Sequence, residues 1–311
     1  MFIITEQPSQ GTSPQDFTAK RCQDLLQKAM GKPDMAIKIV EIAHWQPAQR
    51  VAERFQQGRV LLVGDAAHTM PPNQGLGVNT AIQSAQNLGW KLAAVLTGHA
   101  APSLLSTYTT ERHPVATFAA EQSLTGPAAA LLEQRPGHAS LPSDQQVSLF
   151  APAVGYRYRS QAIVPEDTAP SSQEGIELLE RPLLSGLPGT RVPHLWLERQ
   201  GQRISTLDLL DGRFVLLAGS DGASWCEAAP AVAASLGIRL AAYRIGPDAD
   251  LLDLEHSWQA RIGVSSDGAV LLRPDGFVAW RSRTSTTTPG PKQVLEQVLA
   301  PVLGRSSAAS T

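Results

Sequence analysis

The segment Gly64-Asp65-Ala66-Ala67-His68, followed by Pro71-Pro72 and Gly75-Leu76-Gly77-Val78-Asn79, constrains the fold more than any other stretch of the chain. It follows a short apolar run, Val60-Leu61-Leu62-Val63, and precedes a long run of helical periodicity. The implied order is strand, polar turn, glycine-rich loop, helix. In open α/β sheets, ligands collect at the carboxyl ends of strands. Glycines there let a backbone approach a planar ring closely. The start of the next helix offers unpaired N–H groups and a partial positive charge. This layout seats a nucleotide-like cofactor. No G-x-G-x-x-G occurs upstream of it, so half of the expected cradle is not in this chain. The opening residues Met1-Phe2-Ile3-Ile4-Thr5-Glu6 read as the middle of a strand, which suggests a chain that starts inside a larger fold.

Charge narrows the partners. With 26 Lys and Arg against 28 Asp and Glu, the chain lacks the clustered basic excess that a nucleic-acid or membrane-surface partner requires. The short cluster Arg157-Tyr158-Arg159 reads as a solvated loop. The two cysteines, Cys22 and Cys226, are far apart and form no C-x-x-C, which argues against a disulfide framework or a zinc site. Isolated thiols fit a reducing cytoplasm. No stretch reaches the ~20 apolar residues of a membrane helix, and the N-terminus has no signal-peptide pattern.

Periodicity divides the chain. Residues 14 to 31 predict a helix, ended by Gly31-Lys32-Pro33. Residues 36 to 45 alternate and predict a strand. The run from Val60 to Val63 has no polar alternation and predicts a strand buried on both faces. From about Asn79 to Leu96, the set Ala81, Ile82, Ala85, Leu88, Leu92, Val95 and Leu96 follows the 3.6 period and predicts a helix with that face inward. A further helix opens at Pro102 and should be bent or interrupted at Pro114. Residues 126–188 are rich in Pro, Ser, Gly and Gln and read as a linker with short ordered pieces. The organisation expected is thus 1–125 as one unit, 126–188 as the linker, 189–304 as a second domain and 305–311 as a disordered tail. Within the second domain, Phe214 to Ala218 is a strand, Trp225 to Leu236 a helix and Arg239 to Ile245 a strand. Gly268 to Arg281 is a hairpin turning at Pro274-Asp275-Gly276, and Val294 to Leu303 is a closing helix. This is the element order of a thioredoxin-like domain.

Several single residues admit plain readings. Asp65 alone is as readily a turn former or helix cap. Asp65 and His68 as metal ligands lack a third partner at a persuasive spacing, and His68 reads as a packed or hydrogen-bonded side chain. No G-x-S-x-G supports a serine hydrolase. Trp225-Cys226-Glu227-Ala228 contains no resolving cysteine, so Cys226 reads as structural.

Residues 59–115 as an ordered set resemble the flavin-binding segment of the FAD-dependent aromatic hydroxylases, the class A flavoprotein monooxygenases. Gly58 to His68 resembles that family's second FAD motif, and Pro71-Pro72 with Gly75 to Thr80 the loop that follows it. Asn87-Leu88-Gly89-Trp90-Lys91-Leu92-Ala93, Tyr108 and Glu111-Arg112-His113-Pro114 extend it. The distal stretches Arg191-Val192-Pro193-His194, Leu207-Asp208-Leu209, Val270 to Gly276 and Ala279-Trp280-Arg281 resemble the thioredoxin-like tail of the phenol and polyketide hydroxylase branch. The resemblance implies an α/β fold: the C-terminal part of an FAD-binding domain, lacking the Rossmann fingerprint, followed by a thioredoxin-like domain. It implies that Gly64 and Asp65 meet the ribityl chain of FAD. Pro72 and the Gly75, Leu76, Gly77, Val78 and Asn79 backbone would lie along the isoalloxazine ring. Trp45 would lie on the substrate-side sheet, or serve as ordinary core. In this family NAD(P)H reduces the flavin, and oxygen is then used to hydroxylate an electron-rich ring; the cofactor carries that chemistry, and no catalytic acid or base is assigned.

The expected activity is therefore FAD-dependent hydroxylation of a small aromatic or polyketide substrate, by a fragment or one half of a split enzyme. The partner would be a separate Rossmann-containing chain or a second copy. Gln74 and Ser84 stand where many members carry Gly and Asp. The rival readings are a non-catalytic remnant and a thioredoxin-like interaction module without flavin.

Overall fold

The computed structural model describes residues 13–43, 48–124, 148, 150–166, 175–179 and 185–305. Helix α1 (Ala19–Met30) begins at Thr18, whose side chain accepts the Arg21 amide, and ends at Gly31 in the left-handed region. It buries only Cys22. The strand expected over 36–45 is not formed in the described residues, 35–43. A strand persists by pairing, and here the carbonyls of Met35 and Ile37 are taken by the side-chain amides of Gln27 and Gln23.

Two small antiparallel pairs follow. β1 (Arg50–Val51) pairs with β4 (His68–Thr69), and β2 (Gln56–Gln57) with β3 (Val60–Leu61). The doubly buried strand expected from Val60 to Val63 is thus corrected to a two-residue ribbon. Val60 is 64% exposed and Val63 38%, because the apolar run lies at an open face of the molecule.

Helix α2 (Leu76–Leu96) and helix α3 (Ser106–Gln122) pack side by side. The face of α2 expected to point inward does so only in part: Leu88 is buried and Ala81, Leu92 and Val95 are half-buried. Its buried residues are Leu76, Thr80, Ser84, Asn87, Leu88 and Lys91. Ile82 and Leu96 are exposed, at 61% and 77%. The largely polar stripe is internal because α3 supplies charged partners for it. α3 runs through Pro114 without the expected interruption. Buried contacts hold it on both sides of the proline: Tyr108 donates to Leu62 O at 2.7 Å, and Val115 and Ala116 are fully buried.

Short α4 (Phe150–Ala153) leads into an antiparallel ribbon of β5 (Tyr156–Arg159) and β6 (Gly175–Leu178). Arg157-Tyr158-Arg159, read as a solvated loop, is instead strand. Tyr158 and Arg157 are buried, with Tyr158 stacked on Phe277 at 4.3 Å between ring centroids.

The remainder is built on two sheets. β7 (Trp196–Arg199), β8 (Gln202–Ser205) and, later, β11 (Leu252–Asp253) form a three-stranded antiparallel sheet in the order β11-β7-β8. β9 (Phe214–Gly219), α5 (Ala223–Leu236), β10 (Leu240–Ile245), α6 (Trp258–Ile262), β12 (Ala269–Leu272), β13 (Val278–Ser282) and α7 (Pro291–Val302) complete the chain. Their sheet has the order β10-β9-β12-β13, with β10 parallel to β9 and the other neighbours antiparallel. Every residue of β9 is buried, as a near-continuous apolar run dictates for a central strand. α5 and α7 pack together on one face, around Trp225, Leu295 and Leu299. Trp90, Ala94 and Val95 of α2 pack against this same core, so the C-terminal half of α2 is seated on the second domain.

Candidate flavin cradle and the buried seam behind it

The Gly64–Ala66 segment forms a single tight turn that opens with Gly64 at φ +63°. A Cβ at Gly64 would sit 3.7 Å from Ala81 Cβ, so this turn lies directly on the second turn of α2. Asp65 is exposed, at the surface rather than in the apolar interior. α2 begins at Gly75, in the left-handed region with φ +66° and with no side-chain cap. Only glycine adopts this conformation without strain. The first-turn amides of α2 have no intrahelical acceptor. Around them Pro72, Gly75, Val78 and Asn79 are exposed, and Leu76 is buried. Asn79 Nδ2 donates back to Gly75 O at 2.7 Å and holds the turn closed. Gly77 admits the Met70 side chain, whose Cγ would lie 3.5 Å from an added Cβ.

Val60, Val63, Val78 and Ile82 are all exposed, and each lies on the Asp65 ribbon and turn or on the first two turns of α2. The turn that carries the exposed Asp65 carboxylate thus packs on α2 near its N-terminus, and exposed valines and an isoleucine lie on both segments. These are the properties a ring with a polyol chain requires: apolar surface, backbone N–H donors, and a carboxylate to accept from hydroxyls.

Behind this surface is a group of buried charges. Glu111 on α3 accepts from Arg273 Nη1 at 2.6 Å and Arg273 Nη2 at 2.9 Å. It also accepts from Lys91 Nζ at 2.8 Å, Asn87 Nδ2 at 2.6 Å and Ser160 Oγ at 2.6 Å. Arg273 pairs in addition with Asp275, two residues on in the hairpin turn, and Asn87 Nδ2 reaches Asp275 Oδ2 at 3.3 Å. Lys91, Glu111 and Arg273 are all inaccessible to solvent. Burial alone raises the Glu111 carboxyl, but Arg273 and Lys91 beside it override this and hold it well below the usual carboxylate range. Burial lowers the Lys91 ammonium to about 8, against the opposing pull of Glu111. The guanidinium of Arg273 also lies 5.2 Å from the Trp90 ring centroid and 5.7 Å from that of Phe277.

Arg112, the next residue along α3, faces a different set. Its Nε donates to Ser84 Oγ at 3.1 Å and its Nη2 to Thr80 O at 3.2 Å. Its Nη1 reaches the hydroxyls of Tyr156 and Tyr158 at 2.8 and 2.9 Å. It is a fully buried cation whose hydrogen-bond acceptors among the described residues are all neutral. His68 is also buried, and neither ring nitrogen has a hydrogen-bond partner among the described residues. Desolvation lowers its pKa, and the charge of Arg112 lowers it further.

Of the residues singled out from sequence, Asp65, Pro72, Gly75, Val78 and Asn79 are exposed, Gly64 and Gly77 are half-buried, and Leu76 is buried. Trp45 lies outside the described residues. Cys226 is half-buried and free, and burial raises its thiol to about 11. Sequence reasoning did not single out Lys91, Glu111, Arg112, Arg273 and Asp275 as a unit. Asp275, read as a turn former, points inward and is 2% exposed. One signal was available: Thr80, Ser84, Asn87 and Lys91 fall on a single helical stripe, at steps of four, three and four.

Residues 1–123 match the family described as FAD binding domain, and residues 185–306 match the family described as Aromatic-ring hydroxylase, C-terminal. The aklavinone 12-hydroxylase of Streptomyces purpurascens is 41% identical over 306 residues, which cover 98% of this chain and 54% of that protein. The 4-methyl-5-nitrocatechol 5-monooxygenase of a Burkholderia species is 39% identical over 289 residues, 93% of this chain and 52% of that protein. The crystal structure of an aklavinone-11 hydroxylase in ternary complex with FAD and aklavinone superposes with a TM-score of 0.84 at 40% identity, covering 96% of this chain and 54% of that one. The chain spans about half the length of the curated relatives it matches.

Proposed function

The chain belongs to the FAD-dependent aromatic-ring hydroxylases, and on that premise we propose that it forms the ribityl- and ring-binding side of an NAD(P)H-dependent flavin monooxygenase. The substrate is a small aromatic or polyketide-like molecule. The observation that carries this reading is the packing of the Asp65 turn on α2 near its uncapped start, with exposed apolar side chains on both segments.

Asp65 accepts hydrogen bonds from the ribityl hydroxyls. Pro72 and the backbone from Gly75 to Asn79 flank the ring, with the Val78 and Asn79 amides toward its pyrimidine edge. The positive end of α2 favours negative charge at that edge. FAD, when bound, supplies the transfer of electrons from NAD(P)H and the activation of oxygen. Val60, Val63, Val78 and Ile82 exclude water from one side of the ring. The segment from 189 to 304 is a thioredoxin-like domain with no second thiol near Cys226, and it acts in support of the flavin segment rather than in redox exchange. The 311 residues contain no G-x-G-x-x-G. The ADP end of the cofactor is held by a Rossmann-type segment of further polypeptide, in a reducing cytoplasm.

The test is to titrate the purified chain with FAD, alone and with a Rossmann-containing flavoprotein segment of a relative. A yellow complex that oxidises NAD(P)H supports the reading. A chain that stays colourless in both cases contradicts it and leaves a non-catalytic remnant or an interaction module.

A further inference from the structure

We propose that Arg273 and Asp275, at the hairpin turn of the second domain, are positioning residues for the start of α2. They act through Glu111, Asn87 and Lys91 from the far end of that helix. The proposal rests on reading the α2 N-terminus as the flavin cradle.

α2 is one uninterrupted helix of 21 residues. Lys91 lies about 22 Å along the axis from Leu76 at 1.5 Å per residue. Its C-terminal half is seated on the second domain, where Trp90, Ala94 and Val95 meet the core of β9, α5 and α7. Its N-terminal half carries bare Val78 and Ile82 on one side. Its buried grips are Leu76, Leu88 in the cluster of Phe55, Tyr108 and Ala116, and the polar stripe, which supplies the directional contacts. Glu111 takes Asn87 and Lys91, and Arg112 takes Ser84 Oγ and the Thr80 carbonyl.

Each polar grip is braced from behind. Arg273 meets Glu111 with both terminal nitrogens, while Asp275 occupies the other edge of the guanidinium and accepts from Asn87. Tyr156 and Tyr158 of β5 brace Arg112. A carboxylate accepts about four hydrogen bonds. Glu111 accepts five, two of them from Arg273, so loss of that guanidinium removes its largest single partner. A two-pronged contact fixes angle as well as distance, and a helix transmits displacement as a rigid rod. Movement of Glu111 at the seam thus reappears at the Leu76 to Asn79 amides.

The experiment compares amide hydrogen exchange over α2 in the wild-type chain and in Arg273→Lys, Arg273→Met and Asp275→Asn. The proposal expects amides from 80 to 84 to exchange about tenfold faster in Arg273→Met, with substantial recovery in Arg273→Lys, and with β9 and α5 unchanged. Faster exchange confined to residues 87–91 and 269–281 would overturn it, as would uniform loosening of the whole chain. Should Arg273→Met fail to fold, Asp275→Asn and Arg273→Lys decide: unchanged exchange from 80 to 84 in both overturns the proposal. A parallel FAD titration separates the two ideas. A wild-type chain that binds no flavin refutes the cofactor reading, while the exchange pattern still reports on the linkage. Where flavin binds, Arg273→Met should weaken it about tenfold and shift its absorbance bands, with rescue by Arg273→Lys.

Discussion

Arg273 and Glu111 stand 162 residues apart and meet through two hydrogen bonds of 2.6 and 2.9 Å, with both side chains wholly buried. The pair joins the hairpin turn of the second domain to the helix that packs on α2, making two sequence units one body. Its removal from water is tolerated because Asp275, Lys91 and Asn87 complete a neutral, hydrogen-bonded set.

Glu111→Gln should destabilise the chain by about 3–5 kcal/mol, because Arg273 and Lys91 are left buried without their shared counter-charge. Urea unfolding at neutral pH measures it. The pH dependence carries the same signature. Glu111 is held below its ordinary value of 4.5 in the folded chain, so its contribution is full above that pH. It declines as pH falls, when the unfolded chain takes up a proton that the folded chain refuses. Glu111→Gln should flatten this part of the acid limb.

Lys91 gives a slope of the same sign in an alkaline window. Its ammonium titrates near 8 when folded, against 10.5 in the unfolded chain. Between those values the unfolded state binds more protons, so the group's contribution to stability rises with pH. The wild-type chain should gain on Lys91→Met as pH rises from about 8 toward about 10.5. Paired denaturation curves across that window would show it.

Ser84 and Arg112 allow a test in both directions. Ser84→Ala leaves the buried Arg112 Nε without its acceptor and should cost about 1–3 kcal/mol. Ser84→Asp places a carboxylate against a guanidinium whose acceptors among the described residues are neutral. It should raise the unfolding midpoint relative to wild type, because a charge-assisted bond replaces a neutral one.

Burial holds the Cys226 thiol near 11, so little thiolate exists at neutral pH. A thiol reagent at pH 8 should modify Cys226 slowly in the folded chain and rapidly in urea. Cys226→Ala should leave flavin binding unchanged.

The elements with strong local signals were legible. The 3.6 period with Gly75 just before it announced α2, and Pro274-Asp275-Gly276 between β-rich arms announced the hairpin. What failed was the question of which face meets what. Val60 to Val63 read as a doubly buried strand because an apolar run states only that something covers it, and in this chain its first and last residues are open. The inward face of α2 holds at Leu88 but fails at Ile82 and Leu96 for a related reason. Apolar periodicity pointed to Ile82 and Leu96, while the buried stripe holds Thr80, Ser84, Asn87 and Lys91, whose partners lie on other elements. Asp275 makes the point most sharply: a turn signal is the same whether the carboxylate faces water or an arginine. Glu111 and Arg273 were both visible as motif residues, yet nothing local in either stretch states that they touch.

The central claim is that Asp65 and the start of α2 hold the ribityl and ring end of FAD. The most direct measurement is equilibrium binding of riboflavin, FAD and ADP to the wild-type chain and to Asp65→Ala. The account predicts saturable binding of riboflavin and FAD with affinities within about threefold of each other, no competition by ADP, and about tenfold weaker flavin binding in Asp65→Ala. Flavin binding that is untouched by Asp65→Ala, or ADP binding in place of riboflavin, would contradict it.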